Sequence, residues 1–182
     1  MFLINYGILE DEKNRISRIN QISEFEDDVN TIMGEIQLIF NNTVEGFVDV
    51  EIPYSGEFLI IWFKRLNDAL INLNHGSFVT IKIPDSDNIW LEFEMKDDEV
   101  LVSQIKAKNQ KYIRDFIEDS PRERSEFIWS ERISKVELYE TIIDSTSILI
   151  GDILSINELI SEYCELKELE AKYMKSKGLS LQ

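Results

Sequence analysis

One cysteine, one histidine, three prolines and seven glycines in 182 residues leave little material for several kinds of function. Cys164 has no partner for an internal bridge, so the chain carries no disulfide framework and gives no sign of an oxidising compartment. A Ser-His-Asp or Cys-His mechanism would have to use His75, which stands beside Gly76 where a helix is expected to end, as an ordinary capping residue would. Zinc ligation by His and Cys fails for the same scarcity. The glycines stand at 7, 34, 46, 56, 76, 151 and 178, no two closer than ten residues, which excludes both a P-loop and a dinucleotide fingerprint. The longest fully apolar run, Phe58 to Phe63, is far short of the roughly 20 residues that a membrane helix requires. The opening MFLINYGILEDEK has no basic residue before its apolar stretch and no small-residue cleavage site, so it does not read as a secretory signal. The expectation is a cytoplasmic protein with no membrane partner.

The second shortage is of positive charge. Nineteen Lys and Arg face 35 Asp and Glu, a net charge of −16 at pH 7. Nucleic acids and anionic lipid surfaces draw on clustered Lys and Arg, and this field would repel both. The excess is also localised: residues 20 to 101 hold 17 acids against four bases, a net −13. By contrast Lys106, Lys108, Lys111 and Arg114 form a basic cluster with no acid between Val100 and Arg114. The molecule is polarised.

What the chain does contain is patterned for an α+β fold. The alternation of the opening segment predicts a strand. Two further alternating stretches, GEIQLIFNN and GFVDVEI, joined around Asn41-Asn42-Thr43, predict a hairpin. Pro53 ends the second, Ser55 is the expected N-cap with Glu57 in the first turn, and a helix follows to about Asn74. Its Phe58, Trp62, Leu66, Ala69, Leu70 and Leu73 share one face, and Gly76 suits a left-handed C-cap. SFVTIKIP, NIWLEFEMK and EVLVSQIKAK, separated by Asp85-Ser86-Asp87-Asn88 and Lys96-Asp97-Asp98-Glu99, predict a three-stranded antiparallel meander. Residues 109 to 119 suggest a short helix with Tyr112, Ile113, Phe116 and Ile117 on its buried side, and SEFIWSERI a further strand. Ser134-x-x-Glu137 and Ser155-x-x-Glu158 match the capping box, so they either start two helices or one long helix passes through Ser155. Gly178, after Lys172, Lys175 and Lys177, closes the last helix. The expected architecture is an antiparallel sheet, hairpin plus meander, packed on one face by a central helix and long C-terminal helices. With no linker or repeat, residues 1–182 read as one domain: 1–133 mainly sheet with the central helix, 134–178 the helices that pack on it.

In the middle meander strand Ile89, Leu91, Phe93 and Met95 point one way, while Trp90, Glu92, Glu94 and Lys96 point the other. If the strands pair as expected, the non-core sheet face carries Asp49, Glu51, Glu92 and Glu94 with the aromatics Phe47 and Trp90, bordered by Asp85, Asp87, Asp97, Asp98 and Glu99 in the turns. Carboxylates around exposed aromatics suit a basic protein: the field speeds encounter and the aromatic supplies contact area. The competing reading is a solvated face whose aromatics lie under the helices. Asp85 with Asp87, or Asp97-Asp98-Glu99, or Glu26-Asp27-Asp28, has the makings of a divalent-ion loop, but the glycine and terminal glutamate of an EF-hand are missing, and a solvated turn explains each. Cys164, in an amphipathic stretch near Ile160 and Leu166, reads as a small half-buried core residue.

The helix ending LNDALINLNHG and the meander FVTIKIPDSDNIWLEFEMKDDEVLVSQI, in a small, acidic, cysteine-poor chain, resemble immunity proteins of bacterial polymorphic toxin systems over about residues 57 to 106. The resemblance implies a cytoplasmic, non-enzymatic protein that binds a cognate, often basic toxin or effector domain. It carries over no functional residue. On this expectation Asp49, Glu51, Asp85, Asp87, Trp90, Glu92, Glu94, Asp97, Asp98 and Glu99 contribute to partner binding, with no catalytic residue, metal or cofactor, in a monomer or homodimer. The alternatives are a structural or regulatory module that oligomerises through the apolar stripe of residues 156 to 177, and a metal-dependent hydrolase built on the acidic turns.

Overall fold

The computed structural model describes residues 1–27, 31–48, 56–84, 86, 88–107, 116–117 and 124–179. Its architecture is α+β, with every strand pairing antiparallel. The opening alternation forms β1 (Phe2–Ile8), followed by α1 (Glu10–Ser17) and α2 (Ile22–Asp27). The hairpin is β2 (Met33–Phe40) with β3 (Thr43–Phe47), which begins three residues before the expected GFVDVEI strand and overlaps it only at Gly46 and Phe47, residues 49–52 lying outside the described residues; its turn holds Asn41 at φ 53, a left-handed conformation asparagine tolerates. β1 pairs along the other side of β2, which makes the first sheet, and the short β4 (Glu57–Phe58) joins the β2 edge at Met33 and Gly34.

The central helix α3 (Leu59–His75) starts later than its sequence suggests. Glu57 is held in β4, where its carboxylate accepts from the Trp62 indole at 2.9 Å, and Phe58 occupies the N-cap position. Ser55, the expected cap, lies outside the described residues. At the other end Gly76 is extended (φ −140, ψ 175), not left-handed, because the chain passes straight into the next strand.

The meander is β5 (Phe78–Lys82), β6 (Ile89–Lys96) and β7 (Glu99–Ala107). With β8 (Phe116–Ile117) and β9 (Arg124–Ser134) it makes a second sheet in the order β8-β5-β6-β7-β9. Phe116 and Ile117 therefore pair with Ile81 and Thr80 as a strand instead of lying on a helix. The rest of the short helix expected over 109–119 is outside the described residues. The two sheets meet where the hairpin turn reaches β9: Asn41 and Thr43 both donate to the Glu131 carboxylate, and the rings of Phe40 and Trp129 lie 5.2 Å apart.

The C-terminal part is α4 (Lys135–Ile156), a 3-10 turn (Glu158–Glu162) and α5 (Cys164–Leu179). Neither expected capping box forms: longer-range partners replace the one at Ser134, and the helix continues through Ser155. The Lys135 N–H donates to the Asp98 carbonyl at 2.9 Å, while Glu137 accepts from the Phe2 N–H at 2.8 Å, so Ser134 precedes the helix without a side-chain cap bond. α4 passes through Ser155 and ends at Ile156, and Asn157 caps the following turn by accepting from the Leu159 N–H. α5 continues through Gly178 to Leu179.

One apolar core spans these elements. Leu59, Phe63, Leu66 and Leu70 of α3 meet Leu91 and Phe93 of β6, Val100 and Val102 of β7, and Leu138, Ile142, Leu149 and Ile153 of α4, all fully buried. Ile160, Tyr163, Leu166 and Leu169, four of the seven apolar residues of the stripe considered for oligomerisation, are buried in the same core. Two ion-pair clamps tie α5 to α3: Lys64 bridges Glu165 and Glu168, and Lys172 bridges Asp68 and Glu168. Among the described residues no helix is long and apolar enough to cross a membrane.

Candidate partner-binding surface

The structure separates the residues expected to form one contact face. Trp90 is 2% exposed and Glu92 3% exposed. Across the ladder Trp90 meets Ile105, forming a second small apolar cluster, and Glu92 meets Ser103, itself buried. The face opposite the main core is thus covered at its centre, and neither Trp90 nor Glu92 offers an outside partner any contact area. Strand alternation sorts side chains between two faces; it does not tell what lies over each. Glu94, at the strand's end, is half-exposed and paired with Lys96. Asp49, Glu51, Asp85 and Asp87 lie outside the described residues, as do Lys108, Lys111 and Arg114 of the basic cluster. Phe47 is the aromatic that does face out, 45% exposed on the edge strand β3.

Asp97, Asp98 and Glu99 are exposed at the β6–β7 turn. Asp97 takes φ 57 there, and the Asp98 carbonyl fixes the turn to the first residue of α4. Glu99 pairs with Arg132 at 3.2 Å, whereas Asp97 and Asp98 make no ion pair among the described residues. The turn is therefore a rigid, partly neutralised acidic corner.

A second acidic surface escaped the sequence reading. Val136, Glu140, Asp144, Ile148 and Asp152 follow one another at i+4 along α4, and all five are exposed. After Lys135 the helix contains no base. Val136 is 62% and Ile148 58% exposed, so apolar side chains stand among the carboxylates. Asp152 accepts from the Tyr6 hydroxyl, which anchors this ridge to β1; burial and the Asp152 carboxylate together raise the Tyr6 pKa. The spacing was legible, but an i+4 row marks only a helix side. Which side faces water is decided by β1, α3 and α5 covering the others.

Beside the hairpin lies a third carboxylate of interest. Glu45 of β3 accepts from the Gln104 amide of β7, bridging the two sheets. Burial raises its pKa, the Gln104 bond opposes this, and the Glu57 charge adds to the rise. The folded state therefore holds this proton more tightly than the unfolded chain, so the ionised group weakens the fold as pH climbs past its unfolded value. Glu45→Gln keeps the acceptor for Gln104. It is expected to raise Tm at pH 7 and to leave Tm unchanged below about pH 4, where the carboxyl is protonated in both states; a gain independent of pH would contradict this account.

The residues weighed for chemistry are dispersed. His75 ends α3 in solvent. Cys164 is exposed at the first position of α5, not half-buried, because Tyr163 takes the inward position and packs edge-on against Phe25. Among the described residues no group of three or more His, Cys, Asp or Glu is placed to hold a metal ion. Compared with protein-family models, with curated proteins and with solved structures, the chain matches none.

Proposed function

We propose that this chain is a non-enzymatic binding protein, an immunity or antitoxin-type inhibitor that sequesters a basic toxin or effector domain in the cytoplasm through its acidic surface. The observation that carries the reading is the −16 net charge combined with exposed carboxylates that make no ion pair among the described residues: Asp97 and Asp98 at one corner, Glu140 and Asp144 on α4. Such carboxylates steer a cationic partner into encounter, and their effect decays over a Debye length of about 10 Å at 0.1 M salt.

The test is co-expression with the product of the adjacent reading frame in a bacterial host. The expected outcome is a basic neighbour that is toxic alone, is rescued by this chain and co-purifies with it. Its association rate should fall about tenfold or more between low and high salt, while dissociation changes little. A harmless neighbour that neither binds nor is rescued would overturn the proposal.

A further inference from the structure

α4 carries a glycine that the fold itself does not require. Gly151 sits in the last third of a 22-residue helix, ahead of its final turn, is exposed, and has nothing within 4 Å of the place a Cβ would occupy. Glycine in a helix interior costs about 1 kcal/mol relative to alanine. Neither a left-handed conformation nor a packed neighbour accounts for it. Ser147 and Ser155 flank it one turn away on either side, both exposed, so a shallow trough of small residues runs along the outer face.

The banks of this trough are apolar and acidic. On one side Ile148 stands beside Asp144 and Asp152. On the other, α5 brings Tyr173, Met174 and Glu170 against Ser147 and Ile150 to line a groove, with Met174 64% exposed and the Tyr173 hydroxyl bonded to Ser147. Small residues between ridges let another helix approach closely. Exposed Ile148 and Met174 give it apolar contact. The carboxylates select its charge.

Resting on the binding function proposed above, we propose that the α4 outer face, with its groove against α5, seats a basic amphipathic helix of the partner. A second copy of this chain fits poorly, because a two-fold interface here would set Glu140, Asp144 and Asp152 against their own images. Lys177, stacked on Tyr173 and bonded to its hydroxyl, marks the end of α5 and borders the groove without altering the acidic run on α4.

The probe is a synthetic amphipathic Leu/Lys helix of about five turns, fluorescently labelled, with a Leu/Glu helix of the same pattern as its control. Binding is followed by anisotropy and by amide chemical shifts of the full chain. The expected result is that shifts concentrate in residues 136–155 and 170–177, that Asp144→Lys and Ile148→Asp each weaken binding about tenfold, and that Glu126→Lys, an exposed position on β9, stays within about twofold. Gly151→Leu fills the trough while leaving every charge in place, and it should weaken binding as much as the charge reversal does. Circular dichroism and Tm identify any variant that fails to fold, and Asp144→Asn, which is isosteric, then supplies the charge test.

The surface is wrong if the Leu/Lys helix does not bind, if shifts gather at 94–99 or spread over all acidic positions, or if Gly151→Leu binds like wild type. It is also wrong if the Leu/Glu helix binds equally well, or if Ile148→Asp instead dissolves a dimer. Against the adjacent gene product the two proposals separate. Rescue by wild type and by the α4 variants alike removes this surface but keeps the function, whereas a product that wild type itself neither binds nor rescues removes the function.

Discussion

Gly34→Ala should be strongly destabilising although it adds a single methyl group. Gly34 lies in β2 between β1 and β4, paired with Ile8 on one side and Glu57 on the other. A Cβ there would stand 2.4 Å from the Gly7 carbonyl oxygen and 2.3 Å from a methyl of Leu59, which is completely buried. A side chain can rotate away from such a contact; the carbonyl belongs to the β1 ladder and cannot. Relief requires moving β1 away from β2 and shifting Leu59, the first residue of α3. Overpacking of this kind costs about 1–3 kcal/mol where side chains can yield, and a backbone collision belongs at or above the top of that range. For a chain of this size that is a fall in Tm of about 6–12 °C. Gly151→Ala is the matched control, adding the same methyl in open space, and is expected to raise Tm by about 2–4 °C. Thermal unfolding of the two variants beside wild type checks both signs, and equal effects would refute the packing argument.

Arg15→Ala is the second large loss. The Arg15 guanidinium donates twice to Glu12, at 2.9 and 2.6 Å, and again to the Thr31 carbonyl, and it lies over the Phe25 ring. The Glu12 side chain is only 8% exposed, with the Met33 N–H at 3.3 Å as its other donor among the described residues. Removing the arginine leaves a buried carboxylate without a counter-charge, which costs about 3–5 kcal/mol. It also uncovers Phe25 and releases the Thr31 carbonyl, so the joint between α1, α2 and the start of β2 loosens together. Glu12→Met/Arg15→Met removes both charges at similar volume and should recover most of the loss. The comparison by urea unfolding distinguishes a stranded charge from lost packing: if the double variant is as unstable as Arg15→Ala, the ion pair is not the cause.

These two sites show how unevenly the structure was written in the sequence. β1, the β2–β3 hairpin and the three-stranded meander follow from alternation and turn composition, both of which are local. The face assignment along β6 was also correct as to which residues share a side. It failed as a functional reading because Trp90 and Glu92 lie on a face that is itself covered. A buried glutamate and an exposed one have the same sequence pattern. Capping went the same way: Ser134 fits the local rule, but the Asp98 carbonyl and the Glu137 bond to Phe2 come from 37 and 135 residues away in the chain, and no local rule reaches that far. Cys164 suits the inner side of an amphipathic stretch by local spacing, but a 3-10 turn resets the helical phase just before α5 and leaves it in solvent.

By itself the sequence determined the α+β class, the antiparallel pairing of the meander and the sign and location of the charge excess, because each depends on residue type and near-neighbour spacing. The tertiary structure alone decided which acidic side chains meet solvent. Burial is a property of the elements packed around a residue, and here β1, α3 and α5 leave the carboxylates of α4 in water while the centre of the β6 outer face is closed.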